Sequence, residues 1–186
     1  MTHIYLDAMG GDNAPQCTVE GTLEALRADS ALRITLAGDK DQLMPLLKDC
    51  GDVIDRITVE HCSETITNHD APVMAVRQKK DSAVVKGMLA LRSGDADGFV
   101  SAGSTGAVLA GGMFRLGRID GIDRPALAPL LPNGKDFFLL PADFLLLHLQ
   151  RPVFRIVSTS RCGCSKLRSK LFLLRQKLFE TLILFI

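Results

Sequence analysis

Small polar residues that could hold an anion are concentrated at residues 97–106, which read Asp-Gly-Phe-Val-Ser-Ala-Gly-Ser-Thr-Gly. Their order predicts a short buried strand at 98–100, a tight turn at 101–105 and then a helix. Free backbone N–H groups, hydroxyls and the positive end of the helix dipole would coincide in that turn. We therefore predict that it binds phosphate. The candidate ligands are Ser101, Gly103, Ser104, Thr105 and Gly106.

A second turn of small and acidic residues follows the first predicted strand, residues 4–7. Gly10 and Gly11 permit a sharp bend and a close approach of the backbone to a ligand. The carboxylates of Asp7 and Asp12 flank them. Because ligands of open α/β sheets bind at the C-terminal ends of the strands, all four residues are binding candidates. The same residues also fit an ordinary turn with a capping carboxylate.

A basic cluster, Arg77, Lys79 and Lys80, stands between two apolar stretches. It suits either a phosphate or an acidic carrier protein, although chemistry alone favours a solvated helix end. His61, Cys62 and His69 lack a fourth ligand at suitable spacing, so no metal site is predicted.

The elements that must position these groups alternate between strands and helices. The predicted strands are residues 4–7, 32–37, 54–60, 98–100 and 136–140. The predicted helices are 17–28, 40–50 (with Leu43, Leu46 and Leu47 on one face), 82–91 and the stretch from 105 to Gly117, and Pro72 opens one more. Residues 61–70 and 118–132 have the composition of loops. This order predicts a three-layer α/β fold, with a mainly parallel sheet flanked by helices.

Composition limits the functional classes. The 186 residues are 47% hydrophobic and 23% charged, with a net charge of +1, which is typical of a globular protein without bulk attraction to nucleic acid. The five cysteines do not have the spacing of a disulfide framework, and the N-terminus does not resemble a signal peptide, so a cytoplasmic location is expected. No apolar run is long enough for a membrane-spanning helix.

Signatures of other phosphate-handling and hydrolytic enzymes are missing from the sequence. No G-x-G-x-x-G follows the first strand, and G-x-x-x-x-G-K-[ST] does not occur. Nothing resembles a nucleophile elbow or a Cys/His pair. The sequence therefore does not indicate a dinucleotide enzyme, a P-loop protein or a hydrolase, and no cofactor is predicted.

Four segments, in order, resemble the bacterial phosphate acyltransferases of phospholipid synthesis: residues 6–15, 75–82, 100–107 and 116–128. The resemblance implies transfer of a long-chain acyl group from acyl carrier protein to inorganic phosphate, giving acyl phosphate. It also implies a fold similar to the isocitrate/isopropylmalate dehydrogenase and phosphotransacetylase group. A cytosolic homodimer with peripheral membrane contact, without cofactor or metal, would follow. Further catalytic residues of the family belong to a second half that this sequence does not match.

Three departures from the family pattern stand out. Ser104 replaces a usual Asn, and Ala83 replaces a common Ser; either residue at position 104 can donate a hydrogen bond. After Leu140 an expected Asp-Val-Gly-Ala-Asn is absent, and residues 141–186 hold eight Lys/Arg, two Asp/Glu, eleven Leu and one Gly. We therefore expect a partial acyltransferase domain at 1–140, a divergent basic tail at 141–186, and a frameshift or sequence error near Leu140.

Alternatives to these interpretations are open at this point. Residues 166–185 could form a basic amphipathic helix at a membrane surface. The chain could instead be a phosphotransacetylase-like enzyme that acts on a short acyl-CoA. It could also be an inactive fragment that binds phosphate or the carrier protein without turnover.

Overall fold

Four parallel strands form the sheet of the first compact unit, Met1–Gly117 with Leu167–Ile186. The computed structural model describes residues 1–48 and 50–118, together with the backbone of three short strands, 130–132, 137–139 and 183–185. The four parallel strands are β1 (Thr2–Asp7), β2 (Leu32–Gly38), β3 (Ile57–His61) and β4 (Gly98–Ser101). The helices are α1 (Gln16–Ala28), α2 (Lys40–Leu46), α3 (Pro72–Gln78), α4 (Ala83–Ser93) and α5 (Thr105–Gly111). The predicted α/β class with a mainly parallel sheet is confirmed.

The sheet has the strand order β3-β2-β1-β4, so β1 lies between β2 and β4. Short strand β7 (Ile183–Phe185) pairs antiparallel with β4 and extends the order by one. In a second compact unit, Arg118–Lys166, strands β5 (Leu130–Pro132) and β6 (Phe137–Leu139) form an antiparallel pair of their own. The strand predicted at 136–140 therefore exists, and β5 is its partner.

One face of the sheet carries the main apolar core. Ile4 and Leu6 of β1 and Leu36 of β2 point to this face, where they pack against Leu26 of α1 and Leu43 of α2. Alternate residues of a strand point to opposite faces, so these strands bury one apolar row here and present a second row to the other side.

The opposite face is covered by α4. A Cβ added to Gly87 in α4 would lie 2.3 Å from Cδ2 of Phe99 and 2.9 Å from Cδ1 of Tyr5, so the helix backbone rests directly on these rings. The two rings also contact each other, with centroids 6.2 Å apart. Since Tyr5 alternates with Ile4 and Leu6, α4 lies across the sheet from α1 and α2. The described residues of the first unit thus form three layers.

Several element boundaries differ from the predicted ones. Helix α2 ends at Leu46, because Pro45 provides no backbone N–H to continue it. Leu43 and Leu47 are buried but Leu46 is exposed, so the apolar face is narrower than predicted. Residues Ile54–Arg56 form a 3₁₀ turn before β3. After α5, Gly112–Leu116 form a π-helical turn that ends at Gly117, with φ of 105°.

Two further predictions fall largely on residues outside the described ones. The predicted loop at 118–132 is wrong at residues 130–132, which pair with β6 as strand β5, and of its other residues only Arg118 is described. The amphipathic helix that residues 166–185 could form, one of the open alternatives, is described only at residues 183–185, which pair with β4 as a strand.

Candidate functional site

The two predicted turns meet at the point where the strand order reverses. From β1 the chain proceeds outwards to β2 and β3, and it then returns to place β4 on the other side of β1. In open α/β sheets a crevice forms at the C-terminal ends of two such strands, and ligands bind there. Asp7 ends β1 and Ser101 ends β4, one residue beyond the pair Leu6 and Val100. The fold therefore brings the two turns together, as the strand-end rule predicts.

A buried hydrogen-bond network joins these turns. The Ser101 hydroxyl donates to Asp7 Oδ2 at 2.8 Å, and the Gly103 N–H donates to Ser101 Oγ at 3.0 Å. The Met9 N–H donates to Asp7 Oδ1 at 3.2 Å. Ser101 is fully buried and Asp7 is 6% exposed. Both side chains are thus engaged inside the protein, where they fix the shape of the two turns.

Two glycines allow this close approach. A Cβ on Gly10 would lie 2.8 Å from both Asp7 Oδ2 and the Gly103 nitrogen, which is closer than real Cβ contacts. Gly11 has φ of 99°, a backbone conformation that favours glycine. Asp12 follows on the exposed side of the turn. The turn after β1 therefore depends on glycine at both positions.

Ser104 caps helix α5. Its hydroxyl oxygen accepts a hydrogen bond from the Ala107 N–H at 3.4 Å. Thr105 and Gly106 occupy the first turn of the helix, where N–H groups have no intrahelical acceptor. Gly106 also contacts α3, since a Cβ there would lie 2.8 Å from Pro72 Cγ. The first turn of α5 therefore has N–H groups and the Thr105 hydroxyl beside the crevice.

The electrostatics of the crevice depend on Asp7. Burial raises the pKa of its carboxyl group, while hydrogen bonds from Ser101, Met9 and Gly10 lower it by a smaller amount. Asp7 therefore takes up a proton at a higher pH than an exposed aspartate does.

The three residues of the basic cluster have different surroundings. Lys79 forms a 2.7 Å ion pair with Asp70 and donates to the Thr65 carbonyl at 2.8 Å, and the lysine lowers the pKa of Asp70 to about 2. Arg77 is exposed, and its guanidinium lies 5.6 Å from the centre of the Phe114 ring. Lys80 is exposed and has no ion-pair partner among the described residues. Lys79 thus holds a loop in place, whereas Arg77 and Lys80 face outwards.

Sequence reasoning missed two residues beside the crevice. Cys62, directly after β3, and Ser82, the residue preceding α4, line a cavity of about 10 Å³ together with Asp7 and Gly38. Burial raises the pKa of the Cys62 thiol to about 12, so it is not a thiolate at neutral pH. The rule that selected Asp7 could have found Cys62, because Cys62 also follows a strand. Ser82 could have been found as a polar residue at the start of a helix, the signal that selected the turn before α5.

The two histidines considered as metal ligands have different surroundings. His61 Nδ1 accepts a hydrogen bond from the Lys40 N–H at 3.2 Å, and His69 is exposed. Across residues 1–48 and 50–118 and the three short strands, no three His, Cys, Asp or Glu side chains are grouped as a metal site would require. In that same part of the chain, no helix has the length and apolar character needed to span a bilayer.

Comparison with known proteins places the chain in a family. A sequence model described as "Fatty acid synthesis protein" matches residues 2–143. The chain is similar to proteins named phosphate acyltransferase from Alkaliphilus oremlandii (48% identical over 137 residues) and Geobacillus thermodenitrificans (49% over 140 residues). These alignments cover 74% of this chain and 41% and 42% of the two relatives, so the chain spans about two-fifths of their length. The chain belongs to the fatty acid synthesis protein family.

Proposed function

We propose that this protein is a phosphate acyltransferase, which transfers a long-chain acyl group from acyl carrier protein to inorganic phosphate. The product would be an acyl phosphate for phospholipid synthesis. The observation that carries the proposal is the junction of two small-residue turns at the strand reversal, held by the Asp7–Ser101 hydrogen bond. The names of the relatives support it, since they are called phosphate acyltransferases.

Phosphate would be held by the turn after β4 and the first turn of α5. The N–H groups of residues 104–106 and the hydroxyls of Ser104 and Thr105 are the proposed donors, with Gly10 and Gly11 supplying close backbone approach. Gly103 shapes the turn in this proposal, because its N–H already donates to Ser101 Oγ. Asp12 lies at the exposed rim of this site. Asp7 and Ser101 are positioning residues in this proposal, because their side chains bond to each other.

The reaction requires alignment more than proton transfer. A phosphate oxygen attacks the thioester carbonyl carbon, a C–O bond forms, the C–S bond breaks, and the sulfur leaves on the carrier. Holding the two reactants in line supplies much of the rate, and N–H donors stabilise the developing oxyanion. Phosphate is already nucleophilic at neutral pH, so no general base is assigned. The raised pKa of Cys62 supports direct transfer over an acyl-enzyme on this thiol.

The organisation of the protein is part of the same proposal. We propose a partial acyltransferase domain at residues 1–140 and a divergent tail at 141–186; the family match that ends at residue 143 supports this boundary. A cytoplasmic homodimer with peripheral contact at the inner membrane face follows from the family resemblance. No cofactor or metal is included in the proposed reaction.

The test is an assay of acyl phosphate formation by this chain. Palmitoyl-loaded acyl carrier protein and inorganic phosphate are the expected substrates, and acetyl-CoA is the comparison. Turnover with acetyl-CoA alone would indicate a phosphotransacetylase-like enzyme instead. Phosphate binding in a calorimeter without loss of thioester would indicate a binding fragment.

A pair of variants tests the site separately from turnover. Thr105→Val removes a proposed phosphate ligand and keeps the shape of the side chain, so phosphate affinity should fall. Thr58→Val makes the same change on the exposed side of β3 and should leave phosphate affinity unchanged. Equal affinity in both variants would remove Thr105 from the proposed site.

A further inference from the structure

The outer side of α3 combines apolar and basic side chains. Met74 is 50% exposed, and Arg77 lies one turn further along the same side of the helix. The guanidinium of Arg77 lies over Phe114, which is itself 49% exposed. Exposed Lys80 follows the helix directly. We refer to Met74, Arg77, Lys80 and Phe114 as the α3 patch.

The α3 patch is positive in a chain segment that is otherwise acidic. Residues 1–140 carry 14 Lys and Arg against 19 Asp and Glu, a net charge of −5. The nearest carboxylates in sequence are already paired, Asp70 with Lys79 and Asp81 with Lys86, each at 2.7 Å. Among the described residues, no carboxylate forms an ion pair with Arg77 or Lys80. The patch therefore attracts an acidic partner by charge complementarity.

The α3 patch begins beside the proposed phosphate site. Pro72, the first residue of α3, contacts Gly106 in the first turn of α5. Val73 and Met74 follow Pro72 directly, so the exposed side of α3 starts next to the turn. The π-helical turn that continues α5 carries Phe114 and is tied to α3 by the Arg115 guanidinium, which donates to the Val76 carbonyl at 2.9 Å. A protein bound to the patch could deliver its cargo to the crevice.

The chemistry of the patch fits one kind of partner. Interfaces bind through a few apolar and arginine anchors, and Arg77 is already oriented by its contact with Phe114. A membrane surface is the weaker match, because stable binding needs a long amphipathic helix or a cluster of basic residues. Helix α3 has seven residues, and only Arg77 and Lys80 contribute free cations to the patch.

We propose that the α3 patch docks the acidic carrier protein that delivers the acyl thioester. Met74 and Phe114 are the apolar anchors, and Arg77 and Lys80 contact the carrier's carboxylates. This inference rests on the proposed function, since it assigns a surface to the partner of that reaction. Lys79 is not part of the surface, because Asp70 and the Thr65 carbonyl hold it.

Charge reversal tests the docking surface. The variants are Arg77→Glu with Lys80→Glu, and separately Phe114→Ala. The matched control is Lys48→Glu. Lys48 is exposed and lies just after α2, a helix that packs on the main apolar core. Binding of fluorescently labelled palmitoyl-loaded acyl carrier protein to the whole chain is followed by anisotropy at low and high salt. We expect about a tenfold or larger loss of affinity in both patch variants, less salt dependence after charge reversal, and no change in the control.

The outcomes separate this inference from the proposed function. If the patch variants bind the carrier as tightly as the unaltered chain does, the α3 patch is not the docking surface. Acyl phosphate formation by the chain would still support the proposed function. If the unaltered chain does not bind the carrier, the inference fails, and phosphate calorimetry decides independently whether the anion site exists. Lys80→Glu alone, at an exposed position after the helix, keeps the test valid should a double variant fail to fold.

Two results would show that the patch binds something other than the carrier, and either would overturn the inference. Loss of self-association in sedimentation velocity, with carrier binding unchanged, would identify the patch as a contact between copies of the chain. Loss of binding to phosphatidylglycerol vesicles, with carrier binding unchanged, would identify it as a membrane contact.

Discussion

Asp7 connects two parts of the chain that are 94 residues apart. Its carboxylate accepts hydrogen bonds from the Ser101 hydroxyl and the Met9 N–H. Gly10 lies so close that a Cβ there would be 2.8 Å from Asp7 Oδ2. A group with this many internal partners sets the positions of its neighbours. We therefore assign Asp7 to the framework of the crevice. We expect its substitution to change the stability of the protein first, and ligand binding only as a consequence.

The buried carboxyl group of Asp7 predicts a particular pH dependence of stability. Burial raises the folded-state pKa above the unfolded value of about 3.9. Between these two values the folded state holds a proton that the unfolded state has lost, so the free energy of unfolding falls as pH rises through this interval and then levels off. Asp7→Asn should remove this fall. Urea unfolding over a pH series measures it, with exposed Asp12→Asn as the control.

The same pH series contains an opposite contribution at lower pH. The pKa of Asp70 is lowered to about 2 by Lys79, so its ion pair is lost as pH falls from about 4 towards 2. Only the difference in the free energy of unfolding between the unaltered chain and Asp7→Asn isolates the contribution of the buried carboxyl group. If the two profiles run parallel at all pH values, the pKa of Asp7 is not raised.

Gly10→Ala should destabilise the protein by about 1–3 kcal/mol, because the added methyl group would overlap Asp7 Oδ2 and the Gly103 nitrogen. Gly51→Ala is the matched control, since nothing lies within 4 Å of a Cβ at that position. Its effect should stay within about 0.5 kcal/mol. The free energy of unfolding in urea gives both numbers. Equal values for the two variants would show that the turns do not meet as described.

Helix α5 is capped at the end nearest the crevice, and this cap can be tested. Ser104 caps this helix, and asparagine is as good a cap as serine. Ser104→Asn, which introduces the residue that the family resemblance leads us to expect, should therefore keep the stability of the chain. Ser104→Ala should cost about 1 kcal/mol of unfolding free energy.

Thermal or urea unfolding of the two Ser104 variants is the measurement, and Ser30→Ala at an exposed turn is the control. If Asn and Ala at position 104 destabilise equally, capping is not the role of this side chain.

The sequence predicts the elements well because their physical signals are local. Alternating apolar residues mark β1 and β2, and Pro72 marks the start of α3. The errors occur where the surrounding structure, and not the local sequence, determines the outcome. Leu46 has helical spacing, yet the helix ends there and its side chain is exposed. Pro45 could have predicted the early end of this helix, because proline provides no backbone N–H.

The sequence predicts where the site lies, but it does not predict which side chains contact each other there. Strand ends at one edge indicated that the turns of Asp7 and Ser101 lie close together. That the Ser101 hydroxyl points inward depends on the register of β1 with β4, which no local pattern contains. The distinction between Lys79 and Lys80 likewise depends on Asp70, nine residues before Lys79 in the chain.

The chain and its relatives match over one continuous part. The family model ends at residue 143, and the chain spans about two-fifths of the length of the relatives. A frameshift or sequence error near Leu140 remains our hypothesis for this pattern. We predict that one of the other two reading frames of the coding DNA encodes Asp-Val-Gly-Ala-Asn after that point. Sequencing the gene checks this, and the hypothesis fails if neither frame does.

The central position of β1 has a consequence for synthesis of the protein. Strand β2 follows β1 after a single helix, but the pairing of β1 with β4 closes a loop of some ninety residues, as the 94-residue span of the Asp7–Ser101 bond shows. Long loops close late, because their entropy must be lost before any contact forms. A nascent chain on the ribosome therefore exposes one edge of β1 until residue 101 has emerged. During that interval the edge can pair with another nascent chain, so this protein should depend on chaperones while it is being translated.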